Sequence, residues 1–161
     1  MKFLITATVF LIIYSGVSLI GTKVAMEIPR VPLAVSPEAY SLAYRNVSFM
    51  SRGEGPVLLK GWLLPGANSR VVVFLNGGFR NRVDTTIDTL SLARDLVQRG
   101  YSVLLFDFRS RGKSEGWSRT LSFTHEDVGG AVDFLKGQGF APESIALLGF
   151  SSGTAGHRLR R

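Results

Sequence analysis

The clearest chemistry in this sequence is a nucleophilic serine set in a tight strand-to-helix turn, Gly149-Phe150-Ser151-Ser152-Gly153. Glycines at 149 and 153 lack the Cβ atoms that would collide in a sharp turn, so Ser151 can hold a strained backbone and project its hydroxyl from the strand end. A serine so presented attacks a carbonyl carbon once a base takes its proton, and nearby backbone N–H groups hold the oxyanion that forms. The bases on offer are few. His157 lies six positions after Ser151, about 240° further around a helix. His125 falls near the start of a predicted helix, where it reads as a solvated or capping residue. Asp107 and Asp127 read as structural. The base is therefore expected from outside these 161 residues.

The elements that must position Ser151 are legible upstream. Ser144–Phe150 is a short apolar run of the kind that forms a strand buried on both faces. Val47–Ser51 and Val57–Leu64, separated by Arg52-Gly53-Glu54-Gly55-Pro56, read as a β-hairpin, and Val71–Leu75 is a β-branched strand. A helix is predicted over Thr85–Arg99, capped by Asp84 and closed by Gly100. Its apolar face is Ile87, Leu90, Ala93, Leu96 and Val97, with Asp88, Arg94 and Arg99 toward solvent. Tyr101–Phe106 is a further strand. Thr124 with Asp127 marks a capped second helix running to about Lys136, with Val128, Ala131, Val132 and Leu135 inward and Gly137 or Gly139 ending it. From residue 70 onward strands and helices alternate, the pattern of a mostly parallel sheet with helices on both faces.

From about residue 37 to 156 these motifs together resemble the α/β-hydrolase superfamily, in particular its esterase, lipase and serine-aminopeptidase-like members. Gly61-Trp62-Leu63-Leu64-Pro65 is similar to their second-strand ending, and Asn76-Gly77-Gly78 stands where they carry His-Gly-x. Asp107-Phe108-Arg109-Ser110-Arg111-Gly112-Lys113-Ser114 resembles their Asp-x-Arg-Gly-x-Gly-x-Ser turn, with Ser110 in place of the first glycine. The resemblance implies an α/β fold with strand order 1-2-4-3-5 and a structural role for that turn. It also implies Ser151 as nucleophile on an elbow framed by Gly149 and Gly153, and an oxyanion hole from the amides of Ser152 and of Gly78 or Phe79. Asn76 leaves the loop's backbone role intact but removes the usual histidine packing. The superfamily's order of serine, acid, histidine puts the other two members beyond Arg161, and no cofactor or metal is implied. Two functions follow. One is a serine hydrolase acting on ester, thioester or peptide acyl groups, inactive as this chain alone. The other is a non-catalytic, membrane-anchored remnant or interaction module that keeps half of the fold. Arg158, Arg160 and Arg161 depart from the small, apolar continuation of a nucleophile helix, as a frameshifted or incomplete gene product would.

Other chemistries are excluded by spacing. Gly112-Lys113-Ser114 would end a phosphate-binding loop only with glycine five positions earlier, and that residue is Asp107, whose carboxylate repels phosphate. Gly137-Gln138-Gly139 follows a predicted helix, whereas a dinucleotide fingerprint precedes one. The net charge of +7 is spread over turns and helix faces without interleaved aromatics, so no nucleic-acid partner is expected. The chain has no cysteine, which rules out disulfides and thiolate metal sites.

The N-terminus speaks of a membrane. Phe3–Gly21 is uncharged for nineteen residues, eleven of them Leu, Ile, Val or Phe. As a helix it is about 28 Å long, against ~30 Å of bilayer hydrocarbon. The segment is longer than the apolar core of a cleaved signal, and no small-x-small site stands near Lys23–Met26, so an uncleaved single-pass anchor is favoured over a secreted product. Lys2 and the amino terminus on one side balance Lys23 and Arg30 on the other, which leaves the orientation open. The expected organisation is an anchor over 1–22, a Pro-rich linker over 23–36, a hydrolase domain over 37–156 opening with a short helix at Ser36-Pro37-Glu38, and a basic tail over 157–161.

Overall fold

The computed structural model describes residues 2–26, 30–77, 80–116 and 124–150. Five strands, β1 (Arg45–Met50), β2 (Leu58–Leu64), β3 (Val71–Leu75), β4 (Ser102–Phe106) and β5 (Ile145–Gly149), form one sheet in the order β1-β2-β4-β3-β5. This is the order that the superfamily resemblance implies. β2 pairs antiparallel with both β1 and β4, while β3 runs parallel to β4 and β5. Among the described residues three α-helices, α1 (Lys2–Met26), α2 (Thr89–Gln98) and α3 (Thr124–Gly137), accompany the sheet, together with 3₁₀ turns at Pro37–Tyr40 and Pro142–Ser144.

The two-residue period of the strands sorts the core into two layers. Val47, Phe49, Val73, Leu104 and Phe106 point to one face and meet Val128, Ala131 and Leu135 of α3. Trp62, Leu64, Phe74, Val103 and Leu105 point to the other and meet Leu90 and Ala93 of α2. Because both faces are covered, every residue of β3 and β4 is buried, which explains their unbroken apolar sequences. Among the described residues β5 pairs with β3 alone and is half-buried, with Leu148 37% exposed.

One helix start and one capping carboxylate differ from the sequence expectation. α2 begins at Thr89 with Asp88 as its N-cap, not at Thr85 with Asp84. Asp84 instead ties down the preceding turn: its carboxylate accepts from the Thr86 amide at 2.9 Å, and its carbonyl accepts from the Thr89 amide at 3.1 Å. α3 begins at Thr124 as expected, but the Asp127 carboxylate is taken by Arg109 and not by the helix start.

Paired glycines in the middle of α3 run against helix propensity, and contact with β1 explains one of them. A Cβ on Gly130 would lie 2.3 Å from the Met50 carbonyl oxygen. Gly130→Ala should therefore destabilise the domain by about 1–3 kcal/mol, the backbone clash outweighing the ~1 kcal/mol that alanine gains in a helix. Gly137→Ala, with nothing near its Cβ, should be neutral or mildly stabilising. Urea unfolding of the two variants checks the contrast.

Residues 30–36 carry no helix or strand, as Pro32 and the flanking Pro29 and Pro37 suggest, yet they are laid against the domain, with Leu33 and Val35 packed on the α2-side core. α1 is uninterrupted, and Ile5–Val24 is long and apolar enough to cross a membrane, with no part of it covered by the rest of the chain.

Candidate active site

Because β3, β4 and β5 are parallel, the segments that leave their C-terminal ends emerge on one edge of the sheet, where ligands bind in open α/β folds. Those segments start at Asn76, Asp107 and Phe150. Gly149 stands opposite Leu75 in the β3–β5 ladder, the Phe150 amide donates to the Leu75 carbonyl at 3.0 Å, and the Phe150 ring lies 6.0 Å from that of Phe74. The residue before Ser151 is thus bonded to the residue before Asn76. Ser151, Ser152, Gly153, Gly78, Phe79 and His157 themselves lie outside the described residues.

One carboxylate organises the loops on this edge. Asp107, fully buried, accepts from the Arg82 amide and the Arg82 Nη2, each at 2.6 Å, and from the Lys113 amide at 2.8 Å. Its carbonyl accepts from Ser114 Oγ at 2.6 Å, and that oxygen in turn accepts from the Lys60 amide. The Lys113 amide and Ser114 hydroxyl are therefore engaged within the turn, as the structural reading of the motif requires. Gly112 has φ +47°, and a Cβ there would meet the Asp107 carboxylate at 2.2 Å. Ser110, standing where the resemblance has glycine, takes φ +66° and donates its amide to the Glu115 carbonyl at 2.7 Å. The Arg82 guanidinium is buried and lies 4.8 Å from the Trp62 ring centroid.

Asp127 is the second buried acid. Burial pushes its carboxyl up, against the opposing pull of the Arg109 amide and side chain, both at 2.8 Å. Both aspartates are occupied by arginine, consistent with structural roles. His125 is exposed on the first turn of α3. Among the described residues, no cluster of three or more His, Asp or Glu is placed to hold a metal. A cavity of about 320 Å³ lined by Tyr44, Leu63, Ser102 and Phe140 opens at the opposite edge of the sheet, away from Phe150.

Four residues of this edge, Asn76, Asn81, Arg30 and Arg82, make contacts that the sequence does not announce. Asn76 is buried and donates through Nδ2 to the Asn81 carbonyl at 3.1 Å, while its Oδ1 has no hydrogen-bond partner among the described residues. Asn81 donates onward to the carbonyls of Val31 and Pro32, at 3.1 and 3.0 Å. Arg30 donates to the carbonyls of Gly112, Ser114 and Gly116 at 2.5–3.3 Å. Arg82 was the one signalled in principle, since a buried aspartate calls for a cation.

Residues 29–156 match the model of the X-Pro dipeptidyl-peptidase (S15) family, most of the chain. The chain belongs to that family. The S15 match takes in the strap at 30–36 as well as the sheet. Among solved structures, this S15-family chain is similar to the Pyrococcus furiosus esterase Pf2001 in two crystal forms. One has TM-score 0.70 and 29% identity, covering 81% of this chain and 51% of the esterase. The other has TM-score 0.69 and 32% identity, covering 78% and 49%. Est1E from Butyrivibrio proteoclasticus, solved with ferulic acid, shares the fold at TM-score 0.55 and 19% identity, over 67% of this chain and 44% of its own. No curated protein sequence matches. The fold is that of an α/β hydrolase, and the chain spans about half the length of the esterase structures it resembles.

Proposed function

We propose that this chain carries the nucleophile and oxyanion loop of a membrane-anchored serine hydrolase that cleaves ester, thioester or peptide acyl bonds. The observation that carries the reading is the bond from Phe150 to Leu75, which ties the strand leading to Ser151 to the strand leading to the Asn76 loop. Membership of the S15 family and similarity to an esterase support it. In this reading Ser151 Oγ attacks the acyl carbon. The amides of Ser152 and of Gly78 or Phe79 hold the oxyanion. A histidine and an acid, contributed from outside residues 1–161, take and return the proton. The chemistry needs no metal or cofactor, and no nucleic acid takes part.

Replacing Ser151 with Ala in a fusion that supplies the second half of the fold tests the hydrolase reading, because hydrolysis of an activated ester should then be lost. Anchoring is tested separately. The chain should fractionate with membranes and resist extraction by salt or alkali, since the uncharged span inserts through burial and not through charge. Deleting residues 1–25 should release it. A soluble species beginning after residue 21 would instead identify a cleaved signal.

A further inference from the structure

We infer that the edge of the sheet carrying the candidate site is held against the membrane surface, so that the acyl substrate reaches Ser151 from the bilayer. The inference rests on the anchored-hydrolase reading, and its evidence is the strap between anchor and domain. Arg30 is bonded to three carbonyls of the turn that follows β4. The next two carbonyls, those of Val31 and Pro32, are held by Asn81, whose own carbonyl is held by Asn76 just after β3. The strap therefore docks on the C-terminal edge of the parallel strands, on the loop proposed to form the oxyanion hole.

Length turns this docking into an orientation. The membrane-spanning stretch closes at Val24 and its helix at Met26. Even at full stretch beyond Met26, the chain from Val24 can reach at most about 17 Å to Arg30. A domain of roughly 120 residues has a radius of gyration near 14 Å and is about 35 Å across. The tether is thus shorter than the domain it holds, and the edge to which it is bonded is the edge nearest the lipid. Arg80 and Lys113 are exposed on that edge, as is Glu115. The two cations suit an anionic headgroup surface. A substrate entering there is one the bilayer carries, such as an acyl lipid or a lipid-linked ester.

The absence of cysteine makes the test clean, because one introduced thiol carries one label. Arg80→Cys and Lys113→Cys mark the strapped edge. Ser69→Cys, just before β3, and Lys136→Cys, near the end of α3, mark the opposite one. Each full-length variant is labelled with a fluorophore and placed in phosphatidylcholine–phosphatidylglycerol vesicles containing a lipid with a nitroxide on its headgroup. Labels at 80 and 113 should lose most of their fluorescence and labels at 69 and 136 should keep theirs, with Arg30→Ala erasing the difference. Amide hydrogen exchange across β3 and β4 establishes that each variant is folded. In the same vesicles a diazirine phospholipid should cross-link to peptides covering 76–83 and 107–116. Equal quenching at both edges, or cross-links confined to α1, overturns the orientation while the anchor stands. Failure to be retained by vesicles overturns both. None of these readouts uses Ser151, so they are independent of whether the hydrolase reading holds.

Discussion

Expressed as residues 1–161, the unmodified chain and its Ser151→Ala variant should hydrolyse an activated ester at the same rate. A serine hydroxyl is a weak nucleophile until a base within hydrogen-bond reach takes its proton. The chain has two histidines. His125 is exposed on α3, on an element that packs against the β1 side of the sheet. His157 follows Ser151 by six residues, which on a continuous helix turns it to another side. Loss of a triad's base or nucleophile costs on the order of 10⁶ in rate in the measured protease case, so a chain without its base has no serine-dependent rate left to lose. A large difference between the two proteins, measured on a nitrophenyl ester, would show that one of these histidines serves Ser151 after all.

The largest stability effect is expected at Asp107. Arg82 is 2% exposed and Asp107 is wholly buried, so replacing the acid strands a guanidinium in the interior. Removing one partner of a buried pair costs about 3–5 kcal/mol, a large share of the 5–15 kcal/mol that holds a typical domain together. Asp107→Ala also leaves the Arg82 and Lys113 amides without an acceptor and frees the loop that follows β3 from the turn that follows β4. We expect a domain unfolded or close to it at room temperature. The double variant Asp107→Asn with Arg82→Met should recover much of the loss, because replacing both partners of a buried pair is often near neutral. Urea unfolding of the two proteins measures this, and a cost below about 1 kcal/mol for Asp107→Ala would show that the pair does not organise the edge.

The sequence made the sheet legible because its signals are local and its core is two-sided. Val71–Leu75 and Ser102–Phe106 are apolar at every position in order to be covered on both faces, and their bounds came through to within a residue. The hairpin was visible from its Gly-Pro turn. What failed depends on partners far away in the chain. Asp84 and Asp127 stand at the right spacing for caps, but long-range or turn contacts claim both carboxylates. Gly130 looks like a weakness in α3 until the Met50 carbonyl is seen beside it. The strap was hidden for the same reason. Arg30 in a proline-rich stretch reads as a flanking charge, and only the fold brings the carbonyls of 112, 114 and 116 together around it. The site proposed from glycine spacing, the Ser151 elbow with the Gly78 and Phe79 loop, lies outside the described residues, and beside it Asn76, Asn81 and Arg82 make contacts that no spacing encodes.

The most direct test of the account is covalent trapping. The chain would be fused, after the elbow, to the part of the Pyrococcus furiosus esterase that it does not cover, about half of that structure. The fusion would then be treated with a fluorophosphonate and mapped by peptide mass spectrometry. The account predicts one adduct, on Ser151, with labelling and ester hydrolysis both absent from Ser151→Ala. A folded fusion that hydrolyses the ester equally well with alanine at 151, or that takes the label elsewhere, would contradict it.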